Sequence, residues 1–188
     1  MAVLVEALSA VARRDAIDER YEGGWDGFVS DVPNGTLCTD EVIVRVGFMH
    51  PADAEPYAVL LQRRGLRFLM NGTAIDFATL DQQRGIVSPC DWLEFARIPM
   101  DDSGGSIAVC WFFDEPRTAG PGLYMKCDPS MPVATPPDWE FEGSLSQQFK
   151  YTPPDEMEKK LRFLRHEDGH DIFLDLDTGE ERYVGRTK

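Results

Sequence analysis

The chain lacks every compact signature of catalysis or cofactor binding. No Gly-rich phosphate loop, dinucleotide fingerprint or Gly-x-Ser-x-Gly elbow occurs along its 188 residues. Its four cysteines, Cys38, Cys90, Cys110 and Cys127, are far apart and form no Cys-x-x-Cys pair. That spacing excludes a zinc knuckle, a dithiol redox motif and a dense disulfide framework, and predicts free thiols in a reducing cytosol. No apolar run approaches the length of a membrane span. The first residues, Met1 to Leu8, carry no basic residue ahead of the apolar stretch and hold Glu6 inside it, so they do not read as a secretory signal. Lysine is missing from residues 1–125, where all the positive side-chain charge is arginine or histidine.

What is abundant is negative charge. Acidic residues number 33 against 19 basic ones, a net charge of −14. Such a field repels nucleic acid and anionic membranes and attracts basic proteins. With 43% hydrophobic and 11% aromatic residues the chain can bury a core, so disorder is excluded as its general state.

Periodicity predicts an α+β chain. A first strand is expected over Leu4 to Ala12, then a helix capped by Asp15 and ended by Gly23-Gly24. Trp25, Phe28, Val29 and Val32 share a helical face, and Thr36 to Thr39 and Val42 to Phe48 read as strands. A further helix is expected with Asp53 as its cap, Pro56 in its first turn and Gly65 as its left-handed stop. Asn71-Gly72 predicts a tight hairpin pairing Met70 with Thr73, Phe68 with Ile75 and Leu66 with Phe77. The resulting βαββαβ order resembles a split βαβ, ferredoxin-like arrangement, a layout that implies no particular function. It divides the chain into an α/β half, residues 1–100, and a mainly antiparallel β half, residues 101–188, with the option of one continuous domain. From Cys90 onward Trp92 to Ile98 and Ile107 to Phe113 form another expected hairpin, and the Pro/Gly-rich segment 114–138 reads as a long loop.

The sharpest motif is His166-Glu-Asp-Gly-His170, which satisfies the His-Glu-x-x-His pattern of zinc proteases. That chemistry needs both histidines on one helical face. Asp168-Gly169 is instead a hairpin turn, which pairs His166 with Asp171 and Glu167 with His170 and sends the two imidazoles to opposite faces. On the same register Phe163 meets Leu174, Leu161 meets Leu176 and Arg162 meets Asp175, in a three-stranded C-terminal meander. The segment from Asp175 to Glu180 fails as an EF-hand because its glycine comes one position early. No metal site and no cofactor are expected.

Three groups of candidate site residues remain. Cys90 is the most loop-like thiol, and His50 is the histidine outside the C-terminal hairpin that could serve it as base. Gln82, Gln83 and Arg84 form a polar loop suited to a ligand. Seven carboxylates, Glu167, Asp168, Asp171, Asp175, Asp177, Glu180 and Glu181, run without an intervening Lys or Arg and would steer a basic partner. In acidity and size the chain resembles immunity proteins. It is expected to be an acidic cytosolic interaction module, an inhibitor or immunity-type protein that neutralises a basic partner. The alternatives are a small-molecule-binding domain and an enzyme of unknown chemistry.

Overall fold

The computed structural model describes residues 1–99, 105–113, 131–142, 144–146, 161–167, 170–176 and 181–185. The fold is mixed α+β, with several sheets, many strands and few helices. No helix among the described residues is long and apolar enough to cross a membrane.

The expected first strand is two strands in two different sheets. β1 (Ala2–Val5) pairs with β10 (Ser106–Phe112) and β11 (Val133–Ala134), while β2 (Leu8–Arg13) pairs with β4 (Ile43–Phe48) and β7 (Phe77–Asp81). β9 (Leu93–Pro99) completes a four-stranded sheet in the order β11-β1-β10-β9. β3 (Cys38–Thr39) and β8 (Gly85–Ile86) edge a five-stranded sheet in the order β3-β4-β2-β7-β8. The switch falls at Ala7, a non-glycine residue at φ +48°. Such a backbone persists only where its surroundings hold it. Gln82 does so, its amide Oε1 accepting from Ala7 N at 3.0 Å and its own N–H donating to Ala7 O at 2.8 Å.

Strand alternation sorts the side chains into three apolar layers. Ala10, Ala12, Val44, Val46 and Phe77 meet the helices α1 (Arg14–Arg20), α2 (Gly24–Ser30) and α3 (Pro51–Arg63) through Ile17, Phe28, Tyr57 and Leu61. The alternate positions Val11, Ile43, Ala78 and Leu80 face Val3, Val5, Leu93, Ala108 and Cys110 between the two sheets. Leu4, Ile98, Ile107 and Val109 pack beneath Met131, Trp139 and Phe141. Both sheets are therefore covered on two faces, which is why β1 is apolar at every position and β4 is buried along its whole length, Arg45 included. Met131 to Phe141, of which the part up to Asp138 was expected to belong to a long loop, covers a core layer and contributes β11; residues 114–130 lie outside the described residues.

Helix starts differ from expectation. β2 runs directly into α1, so Arg13 is the flanking residue and Asp15 sits in the first turn, its Oδ1 accepting from Ala16 N at 2.7 Å. α3 begins two residues before Asp53, with Pro51 at its start and His50 as the capping side chain, and Pro56 lies inside it. Proline's fixed φ preorganises that first position. Gly65 takes the expected left-handed stop, φ +113°, where a Cβ would meet Arg20 O at 2.3 Å.

The Asn71-Gly72 hairpin forms as expected. β5 (Leu69–Met70) pairs with β6 (Thr73–Ala74) through Met70 and Thr73, and Ile75 N donates to Phe68 O at 2.9 Å. The C-terminal meander is β12 (Leu161–Glu167), β13 (His170–Asp175) and β14 (Glu181–Gly185). His166 pairs with Asp171 and Glu167 with His170, as the hairpin reading requires. Beyond Arg165 a β-bulge moves the register by one, so Phe163 pairs with Phe173, Arg162 with Leu174 and Leu161 with Asp175. The extra residue lets the rings of Phe163 and Phe173 meet edge to face at 5.6 Å, a pairing that alternation alone did not foretell.

One buried polar atom in the helical layer has no partner among the described residues, the Tyr57 hydroxyl. Burial pushes this phenol well above its ordinary value. Leaving a buried hydroxyl unbonded costs about 1–3 kcal/mol, and deleting it removes that cost. Tyr57→Phe is therefore expected to leave stability unchanged or raise it by about 1 kcal/mol in urea unfolding. A loss of that size would show that the hydroxyl is satisfied in solution.

Candidate functional site

At the β2–α1 junction two arginines are held by their own backbone. Arg13 N donates to Asp76 O at 2.9 Å and Arg14 N to Val42 O at 2.8 Å. The side chain of Arg13 pairs with Asp15 through both Nε and Nη2 and lies over the Phe112 ring, 5.7 Å from its centroid. Arg14 shares its Nε between the two oxygens of Asp18, each at 3.1 Å, and lies 3.8 Å above the Trp25 ring. Each guanidinium thus has one carboxylate and one aromatic face.

Opposite them the turn between β3 and β4 is fixed by its own side chains. Asp40 Oδ1 accepts from Val42 N at 3.0 Å and from Ile43 N at 2.9 Å, and Thr39 Oγ1 accepts from Glu41 N at 3.0 Å. This holds Glu41 at φ +77° and leaves Val42 48% exposed. Between the turn, the arginines and Phe112 lies an open cleft of about 450 Å³.

The electrostatics are those of mutual pairing. Hydrogen bonding to Arg13 holds the Asp15 carboxyl below its ordinary range, and Asp15 in turn raises Arg13. Among the described residues no His, Cys, Ser or Thr lines the cleft, whose polar side chains are three carboxylates and two guanidiniums. What it offers is charge of both signs beside the apolar side chains of Val42 and Phe112.

The residues singled out from sequence are dispersed. Gln82 is buried and occupied in clasping Ala7, and its carbonyl accepts from Arg97 Nη2 at 2.8 Å. Gln83 and Arg84 are exposed, on a turn organised by Asp81 Oδ1, which accepts from their two amides at 2.8 and 3.0 Å. His50 Nδ1 accepts from Ala52 N at 3.1 Å as the cap of α3, whose apolar side packs on one face of the five-stranded sheet. Cys90 is a reduced, partly buried cysteine packed against the core on the other face of that sheet. The sheet lies between them.

Of the seven carboxylates, Glu167, Asp171, Asp175 and Glu181 occupy positions on the strands of the C-terminal meander, while Asp168, Asp177 and Glu180 lie outside the described residues. The two histidines of the His-Glu-x-x-His pattern stand on two antiparallel strands, not on a helix. Among the described residues no group of three or more His, Cys, Asp or Glu is placed to hold a metal ion.

The cleft escaped sequence reading because its parts are distant along the chain. Arg13-Arg14 ahead of Asp15 and Asp18 was the local signal, but only the fold brings Glu41, Val42 and Phe112 beside them. The chain matches no protein-family model, and neither a curated protein nor a solved structure is significantly similar to it.

Proposed function

We propose that this protein is an acidic binding module that takes a basic protein as its partner, as an inhibitor or immunity-type protein would. The observation that carries the reading is the charge of −14 with its run of lysine- and arginine-free carboxylates over the C-terminal meander. A field of this sign accelerates encounter with a cationic surface and weakens as salt screens it. The site chemistry is compatible, since carboxylates outnumber guanidiniums among the residues that line the cleft. A reducing cytosol is the compartment the reading implies.

A split βαβ reading of the five-stranded sheet is supported by the antiparallel order β7-β2-β4-β3, with α1, α2 and α3 packed on one face. A reading as one continuous domain is supported by β1, which shares a sheet with β9, β10 and β11. The test is capture from source extract at low and high salt, with the stoichiometry of any purified pair measured by sedimentation. One basic protein bound one to one, released by salt and lost on Asp171→Lys with Asp175→Lys, is the expected result. Capture of no basic protein at low salt would overturn it.

The cleft gives a second reading, a small-molecule site, because its 450 Å³ lies within the range of ligand pockets. Thermal stabilisation by a small ligand, insensitive to the meander substitutions, would favour it.

A further inference from the structure

The geometry points to the cleft at the β2–α1 junction as the seat for one basic side chain of the partner, an arginine or a lysine. Glu41 is its ion-pair acceptor, and Val42 and Phe112 support its alkyl stem. The inference rests on the reading of a basic partner and adds the place where a single side chain is recognised.

Three ligand chemistries could enter a cleft of this kind, and the pairing pattern separates them. An anion would meet two guanidiniums that each already hold a carboxylate, Arg13 through Nε and Nη2 to Asp15 and Arg14 through Nε to both oxygens of Asp18, in a lining whose net charge is negative. A wholly apolar group would be set among three carboxylates and two guanidiniums, and would strip water from charges without replacing it. A cation with an apolar stem meets neither difficulty.

Counting the lining, Asp15, Asp18 and Glu41 against Arg13 and Arg14 leaves one negative charge. Asp15 and Asp18 are matched by their arginines, so the unmatched charge is Glu41, whose carboxylate has no hydrogen bond or ion pair among the described residues. Val42 beside it is a large apolar side chain left 48% exposed. Long basic side chains lay their methylenes along apolar surface while their heads stay polar, which is the complement of this pairing. The Thr39 and Asp40 hydrogen bonds fix the backbone of Glu41 and Val42 in advance, so binding orders little that is not already ordered. The charge of −14 raises the local concentration of cations around the opening.

The test uses N-acetyl-arginine amide and N-acetyl-lysine amide as probes, with N-acetyl-citrulline amide as an uncharged isostere, in amide-resolved NMR titrations of the whole chain. The expected result is saturable shifts centred on Glu41, Val42 and Phe112 with millimolar affinity for at least one cationic probe, none for citrulline, and a loss of about fivefold on Glu41→Gln. Glu41 is exposed and its side chain holds nothing, so this variant keeps its fold; Val42→Ser is a second variant that should also weaken binding. Unchanged affinity in Glu41→Gln, or shifts confined to other surfaces, would overturn the assignment. An octa-arginine peptide separates the two levels of the argument. Salt-sensitive binding lost in Asp171→Lys with Asp175→Lys but indifferent to Glu41→Gln would sink the cleft and leave the partner reading standing. Absence of salt-sensitive binding to the native chain would sink both.

Discussion

Replacing Arg45 with alanine is expected to lower the unfolding free energy by about 3 to 5 kcal/mol in urea titration, the largest loss of any single substitution proposed here. Arg45 lies on β4 in the layer between the two sheets and is 2% exposed. Among the described residues no carboxylate is within ion-pair distance of it. Its donors are spent instead on Ser9 Oγ at 2.9 Å, Glu6 O at 2.6 Å and Thr36 O at 3.3 Å. Two of these acceptors flank the place where the chain leaves one sheet for the other. Burial pulls the proton affinity of the guanidinium below its ordinary value, opposed by the neighbouring Cys38 thiol and Glu6. Gly47 keeps the space open, since a Cβ there would come within 2.2 Å of the guanidinium.

Alanine at 45 would leave the Glu6 and Thr36 carbonyls short of a donor and open a cavity as wide as the lost side chain. Methionine fills most of that cavity and removes the desolvated charge, so Arg45→Met is expected to recover about half of the loss. Lysine keeps the charge but cannot reach three acceptors from a single ammonium, and should fall near alanine. An Arg45→Ala protein within about 1 kcal/mol of the native one would show that the sheet switch is held by Gln82 and the apolar layers alone.

Asp76→Asn is expected to cost about 2 kcal/mol at neutral pH and almost nothing in acid. The Asp76 side chain is buried and accepts from Arg67 N at 2.8 Å and from Arg67 Nε and Nη2 at 2.9 Å each, with Arg20 Nε at 3.8 Å. Burial pushes the carboxyl up, but the Arg67 hydrogen bonds outweigh it, and the balance lies below the ordinary 3.8. A carboxyl depressed on folding contributes stability that is complete above its unfolded value and disappears as pH falls through the folded one. The gap between native and variant should therefore be full at pH 7 and close only as pH falls below the ordinary carboxylate value and through the lower folded one. Both arginines are partly exposed and can rehydrate, which keeps the cost below that of Arg45. A gap that persists unchanged into acid would mean that Asp76 acts by shape and not by charge.

Much of the chain was legible in its residue pattern. The Asn71-Gly72 hairpin, the stop at Gly65 and the pairing of β9 with β10 followed from turn chemistry and alternation. The His166 to His170 segment was recognisable as a hairpin because Asp168-Gly169 interrupts any helical face. The C-terminal register failed beyond Leu164 because a bulge answers to packing across the sheet, here the contact of Phe163 with Phe173. The capping of α3 by His50 was not legible, because that role depends on where the helix begins.

The amino-acid sequence by itself determined the charge of −14, the mixed α+β class, the absence of compact catalytic motifs and the local turns, because each depends on residue type and on neighbours a few positions away. The tertiary structure decided the division of the first strand at Ala7 and the burial of Arg45 between two sheets. It also decided the meeting of Arg13, Glu41 and Phe112 around one cleft. Those depend on contacts between residues tens of positions apart, which alternation and helical period cannot encode.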